Sequence, residues 1–237
     1  KTAKFIDHYK LSKFMVDVFV PENQVGGYQQ AFPDYDVLVG PQGYTETFNH
    51  IYSKYNDGTN LLMLHDDVEK FQTLDENGRL RDVEVDEFLP LIKKMFHQMR
   101  EENIHLGGFY PCRNNGWMSK AKPISKNLTF IIDPVSLHIN KRDAPRLTLR
   151  FDGHEHSKQD VENSILHFIQ DGAVLRYNHY CFKSKYAPKG DTTGVGERSQ
   201  DREMASAKGI VEKYPAYAYL RHNKKGPQVG LRRKLKY

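Results

Sequence analysis

The chain is poor in cysteine, has a single tryptophan and contains no long apolar run. Its two cysteines, Cys112 and Cys181, are too few for a disulfide framework and lack metal-ligand spacing. Both read as free thiols in a reducing compartment. No stretch approaches the roughly 18 consecutive apolar residues that a membrane helix needs. The opening KTAKFIDHYK has no apolar core of a signal peptide, so Asn127-Leu128-Thr129 reads as a chance match to the glycosylation sequon. The sequence also lacks a Walker A pattern, a serine elbow and a zinc-ligand spacing. An ATPase, a serine hydrolase and a zinc enzyme are therefore poor readings. Acid is missing from the last 17 residues, RHNKKGPQVGLRRKLKY, which carry seven Lys or Arg.

The positive charge is therefore uneven: a net charge of +5 over 237 residues is concentrated at the end. A basic tail over about 221–237 is either a solubilising end or an arm for nucleic-acid phosphates, and the charge leans toward the second. The length suits one large domain or two small ones. With no internal repeat, heptad run or linker, a single domain over 1–237 is expected.

Apolar patterning predicts alternating strands and helices. Phe14–Val20 reads as a buried strand closed by Pro21-Glu22-Asn23, and Asp36–Val39 as a second strand closed by Gly40-Pro41-Gln42-Gly43. Phe48, Ile51, Tyr52 and Tyr55 have helical spacing within 45–55, and Leu61–Leu64 reads as a third strand. After a turn at Asp75-Glu76-Asn77-Gly78, an amphipathic helix is expected. Asp86 would cap it, Pro90 would sit in its first turn, and Phe88, Leu91, Ile92, Met95, Phe96 and Met99 would form its buried face. Asn127–Ile132 and Arg146–Arg150 read as strands. Ser157–Asp171 reads as a helix capped by Ser157 and stopped by Gly172, and Ala173–Tyr177 as a strand. The glycine-rich segment 183–199 reads as a long loop, which in a compact domain is commonly functional. This alternation implies an α/β fold.

Chemistry concentrates first at LLMLHDDV, residues 61–68, where an apolar strand runs out into Asp66 and Asp67. Burying charge is costly unless it is paired. The motif is either a solvated loop or a site for Mg²⁺ or Mn²⁺ that grips a diphosphate. Asp67 is the stronger candidate for direct ligation, with Asp66 beside it and His65 more often structural than ligating. Asp160 and Glu162 stand at a helix start. Asp160 is either a general base for an acceptor hydroxyl or the partner of Ser157 in a capping box, and the helix N-terminus should lower its pKa. Arg176, Asn178 and His179 close a strand, a common place for site residues in α/β folds. The loop basic residues Lys183, Lys185, Lys189 and Arg198 could fold over phosphates or stay solvated. FYPCRNNGW, with Tyr110, Arg113, Asn114, Asn115 and Trp117, could stack on and hydrogen-bond a base. Alternatively, Phe109 and Trp117 are core and the rest is a turn.

The order of these pieces carries a resemblance. VFVPENQVGGYQQAFPDYDVLVGPQG, TETFNHIY and NLLMLHDDV are followed by FYPCRNNGW, NLTFIIDP, KQDVENSI, DGAVLRYN and the glycine-rich loop. Over nearly its whole length the chain resembles the glycosyltransferases associated with TET/JBP DNA hydroxylases, found in bacteriophages, some eukaryotes and the base J pathway. The resemblance implies a GT-A-like nucleotide-diphospho-sugar transferase fold, a mixed sheet flanked by helices. It implies transfer of a sugar, glucose foremost, from a UDP-sugar to the hydroxyl of 5-hydroxymethylcytosine or 5-hydroxymethyluracil in DNA. Asp66 and Asp67 would hold the Mn²⁺ or Mg²⁺, and Asp160 would be the base. Gln42, Gly43, Asn49, Asp66, Arg176, Asn178 and Arg198 would lie at the UDP-sugar. Tyr110, Arg113, Trp117, Lys224, Lys225, Arg232 and Arg233 would meet DNA. The setting would be intracellular: the host cytoplasm for a phage protein, the nucleus for a eukaryotic one.

The chain departs from that pattern in two places. It begins where the family's first strand and its arginine-bearing uridine loop would just have ended, so that strand is expected ahead of Lys1. The acidic motif is HDD rather than three acids, which leaves the number of protein ligands open. Two other readings stand beside the first: a glycosyltransferase acting on a glycan or small molecule, and a non-catalytic nucleic-acid-binding protein on a transferase fold.

Overall fold

The computed structural model describes residues 2–141, 143, 150–151, 154–155, 158–184, 200–223 and 226–232. Helix α1 (Thr2–His8) leads to β1 (Asp17–Pro21), α2 (Val25–Ala31), β2 (Asp36–Gly40), α3 (Tyr44–Lys54) and β3 (Asn60–Leu64). β1 and β2 pair in parallel, from Asp17 opposite Asp36 to Pro21 opposite Gly40. A parallel pair needs a crossover, and α2 supplies it. The first strand starts later than the expected Phe14. Residues Lys13–Met15 form a 3₁₀ turn, closed by Met15 N–H donating to Ser12 O at 2.8 Å, and Phe14 is 89% exposed.

The chain continues through β4 (Val68–Leu74), β5 (Leu80–Asp82), α4 (Val85–Glu101), β6 (Leu106–Phe109), α5 (Asn115–Met118), β7 (Ile124–Ser125) and β8 (Val135–Ile139). The short β9 (Arg150–Phe151) and β10 (His154–Glu155) pair with each other. Then come α6 (Gln159–Asp171), β11 (Leu175–Tyr177), β12 (Tyr180–Ser184), α7 (Gln200–Lys213), β13 (Ala218–Asn223) and β14 (Gly226–Leu231). Five strands form one sheet in the order β3-β8-β6-β11-β7, with β6 and β11 parallel and the other neighbours antiparallel. A second, antiparallel sheet has the order β12-β4-β5. The protein is thus mixed α/β, as the alternation predicted.

α4 forms for the reasons read in the sequence. Phe88, Leu91, Ile92, Met95, Phe96 and Met99 all pack into the main core with Phe71, Phe109, Val135 and Leu137. Its cap differs from the expectation: Glu84, not Asp86, is the N-cap, and the Glu87 carboxylate accepts its N–H at 2.9 Å. Pro90 is consequently the sixth helical residue, past the first turn, and faces solvent.

Two expected strands need correction. Asn127–Ile132 is irregular, and the strand lies further on at Val135–Ile139. At Phe130 and Ile131 the backbone bonds to side chains instead of a neighbouring strand. Ile131 N–H donates to Ser164 Oγ at 2.9 Å, and Arg176 Nη1 donates to Phe130 O at 3.0 Å. Of Arg146–Arg150, only Arg150 falls among the described residues. Ser157, the expected cap of α6, also falls outside them, and the observed N-cap is Lys158. Half of the expected basic tail is regular structure, because β13 (Ala218–Asn223) and β14 (Gly226–Leu231) pair antiparallel and pack against α7.

Candidate functional site

β3 belongs to the large sheet and β4 to the small one, so His65-Asp66-Asp67 is the turn at which the chain changes sheets. His65 N–H donates to Pro134 O at 3.0 Å, and Val68 N–H closes the turn onto His65 O. The imidazole of His65 stands edge-on to Tyr44 at 5.5 Å, and burial pushes its pKa down to about 4. It is therefore neutral at physiological pH. Asp66 is exposed and accepts a 2.9 Å hydrogen bond from the Tyr28 hydroxyl of α2. Burial first, and the Asp66 charge second, push that phenol up to about 12.

These residues line one wall of an open cleft of about 2940 Å³. Gln42 and Gly43 line it from the loop after β2. Gly43 has φ 103°, in the left-handed region that glycine tolerates, and starts α3, where Thr47 Oγ1 donates to its carbonyl at 2.8 Å.

A second acidic group lines the same cleft. Asp160 is the second residue of α6, and its Oδ1 accepts the Val161 N–H at 2.9 Å. The expected fall in its pKa is overturned. Burial outweighs the Val161 hydrogen bond and the Lys158 charge, and lifts the carboxyl to about 6. Asp133, which the sequence reading did not single out, stands next to it at 5% exposure and also lines the cleft. Its Oδ1 has no hydrogen-bond partner among the described residues. Burial and the Asp160 charge raise its pKa well above the carboxylate range, while Tyr44 and Asn163 beside it act the other way. A signal for Asp133 was present in FIIDP, an apolar run ending in acid just as LLMLHDD does. Glu162, in contrast, is fully buried and accepts the Tyr214 hydroxyl at 2.9 Å, tying α6 to α7.

Arg176 lines the cleft from β11. Its guanidinium lies 5.2 Å from the Tyr110 ring centroid. Asn178 is buried beneath it and does not line the cleft. The C-terminal hairpin closes another side with Tyr219, Arg221, Gln228, Gly230 and Arg232.

The cleft thus brings together Gln42, Gly43, Asp66, Asp67, Asp160, Arg176 and Arg232 of the predicted set. Asn49 lies on α3 but does not line it. Tyr110, Arg113 and Trp117 do not line it either. Arg113 Nε donates to Gln72 Oε1 at 2.6 Å, and Trp117 is 63% exposed on α5, whose cap is Asn114. Of the alternative reading of this cluster, Phe109 is core and Trp117 is not. Arg198, Lys224, Lys225 and Arg233 lie outside the described residues, as do Lys185 and Lys189. Lys183 ends up on β12, paired with Glu69 at 2.6 Å.

Among the described residues, no group of three or more His, Cys, Asp or Glu is placed to hold a metal. The donor set at the turn is therefore two adjacent carboxylates. That fits Mg²⁺ or Mn²⁺ shared with ligand phosphates, a mode that uses one or two protein carboxylates, and it does not fit a cage made by protein alone. Comparison with family models, with curated proteins and with solved structures returned no match.

Proposed function

We propose that the protein is a GT-A-like, metal-dependent glycosyltransferase that moves a sugar, glucose foremost, from a UDP-sugar to the hydroxyl of 5-hydroxymethylpyrimidine in DNA. The observation that carries this reading is the sharing of one cleft by two acidic groups with different environments, Asp66-Asp67 at the end of β3 and Asp160 at the start of α6. An acidic pair at a sheet-edge turn and a buried carboxylate at a helix start suit a division of labour between binding and proton transfer. The sheet edge, the Gln42-Gly43 turn and the cationic Arg176 support the same reading for the donor.

Asp67, with Asp66 beside it, would hold Mn²⁺ or Mg²⁺ against the donor diphosphate. When bound, the cation supplies Lewis-acid charge to the departing UDP. Arg176 offers a fixed positive charge to phosphate oxygens. Asp160, with its pKa near 6, is ionised at neutral pH yet basic enough to take the proton of an acceptor hydroxyl. Asp133, next to it, keeps that pKa sensitive to the protonation of the pair. Arg232, which lines the same cleft, would offer its charge to the DNA acceptor.

A second reading, transfer to a glycan or small molecule, is favoured by the position of Tyr110, Arg113 and Trp117 away from the cleft. Mass spectrometry of hydroxymethylcytosine and hydroxymethyluracil DNA, incubated with a panel of UDP-sugars and Mn²⁺, separates the two. A hexose mass shift that disappears in Asp67→Asn and Asp160→Asn is expected. No shift on either DNA, with transfer to a glycan acceptor, would replace the first reading by the second.

A further inference from the structure

We infer that the cleft-facing side of the β13–β14 hairpin is a binding platform for single-stranded nucleic acid, with Tyr219 stacking on a base and Arg221 and Arg232 meeting the flanking phosphates. This rests on the proposed function only in taking DNA as the acceptor.

The hairpin register sets Tyr219 opposite Gly230 and Arg221 opposite Gln228. Side chains alternate along a strand, so these four share one face, and all four line the cleft, with Arg232 two residues beyond Gly230. On the other face Ala218 is buried in a hydrophobic cluster with Ile210 and Tyr214, and Val229 and Leu231, which reach the cleft border, are partly buried against it. The hairpin is thus anchored on α7 through this apolar face and presents Tyr219, Arg221 and Arg232 to the cleft.

Tyr219 is an exposed aromatic residue held in a defined place. Its ring covers the backbone of Gly230, where an added Cβ would stand 2.3 Å from ring Cζ. Glycine at 230 thus lets the ring lie against the strand, and 40% of Tyr219 remains exposed. The Arg232 guanidinium lies 5.5 Å from the ring centroid. It is positioned by its own backbone N–H to Tyr217 O at 2.8 Å and by Nε to Pro215 O at 3.2 Å. An aromatic face beside two guanidinium groups is the chemistry that holds single strands: stacking accepts any base, and the cations follow the phosphates. The charge also exceeds what one diphosphate needs. The sequence puts Lys224-Lys225 between the two strands and continues Arg232 with Arg233, Lys234 and Lys236. That run fits a polymeric anion better than a free nucleotide.

The test is fluorescence anisotropy of a short labelled single-stranded pyrimidine oligonucleotide with the full chain, without UDP-sugar or divalent cation, over a range of salt. Tyr219→Ala should weaken binding about tenfold or more, while Tyr219→Phe stays near wild type. Gly230→Val, which displaces the ring, should resemble Tyr219→Ala. Arg221→Gln with Arg232→Gln should reduce the log–log salt slope by about 1.4. The arginine variant keeps the test informative if Gly230→Val fails to fold. The inference is overturned if wild type does not bind the oligonucleotide, if Tyr219→Ala binds as wild type, or if free UDP competes for the Tyr219-dependent site. Because the readout involves no transfer, tight Tyr219-dependent binding without sugar transfer would remove the transferase reading alone.

Discussion

Arg176 Nε donates a 2.7 Å hydrogen bond to Asn178 Oδ1, two residues further along the same chain segment. The two were read from sequence as equals at the donor, and the structure gives them different places. Arg176 faces the cleft. Asn178 is buried, and its Nδ2 donates to Lys122 O and to Ser125 Oγ, both at 2.7 Å. The amide therefore uses the 122–125 segment as a base from which it orients the guanidinium. Asn178→Ala should raise the donor KM with little change in kcat, and cost about 1–3 kcal/mol in urea unfolding because buried partners lose their bonds. An unchanged KM would show that Arg176 needs no such support.

Asp160 predicts a pH profile. If it is the base of the proposed transfer, its pKa of about 6 should make kcat/KM rise with pH and level off above that value. Asp160→Asn should lower kcat by roughly 10²–10⁴-fold. The stability effect has the opposite sense. A carboxyl raised in the folded state contributes stability that is present below the ordinary carboxylate range and lost as pH rises through about 6. Thermal melts should find Asp160→Asn gaining on wild type from pH 4 to pH 8.

Tyr28 holds Asp66 through its hydroxyl, so if the proposed metal site is used, Tyr28→Phe should weaken Mn²⁺-dependent UDP binding by roughly 10-fold, the usual scale for a residue that orients a ligating carboxylate. Calorimetric titration with UDP, with and without Mn²⁺, measures it. A loss of the same size without the metal would place Tyr28 at the nucleotide instead.

Gly107 and Gly108 on β6 should respond differently to alanine. At Gly107 the new Cβ meets Met95 Cε and Met99 Sδ, both at 2.8 Å, which are flexible side-chain ends. At Gly108 it meets Ile131 Cγ2 at 2.6 Å, a β-branched side chain whose backbone is tied to Ser164. Gly108→Ala should cost about 1–3 kcal/mol by overpacking, and Gly107→Ala less. Since Ile131 lies two residues before Asp133, Gly108→Ala should also depress activity, which an assay at matched folded fraction would isolate.

Where periodicity and composition act locally, the sequence was legible. The apolar face of α4, the β2 and β3 strands and the acidic turn after β3 all follow from residue spacing. What was not legible depends on partners distant in the chain. Leu128 and Ile131 are buried, but their segment is fixed by Ser164 and Arg176, which sequence distance conceals. Asp160 was expected to lose basicity at a helix start, yet burial beside Asp133 decides its state. Arg113 and Trp117 matched a base-binding pattern by type, while Gln72 claims the first. The hairpin was read as a tail because its positive charge outweighed the alternation in AYLRHN and GPQVGL.

The acidic turn joins strands of two different sheets, and this constrains length more than composition. β3 is held in register by β8, from Asn60 opposite Ile139 to Leu64 opposite Val135, while β4 is held by β12 and β5. A one-residue slip of β4 against β12 and β5 would reverse the facing of its side chains, so an added or removed residue has to be taken up within the turn itself. Exchange of His65, Asp66 or Asp67 for other residues leaves both registers intact, whereas a change in the spacing from Leu64 to Val68 falls entirely on the three residues that carry the acidic pair.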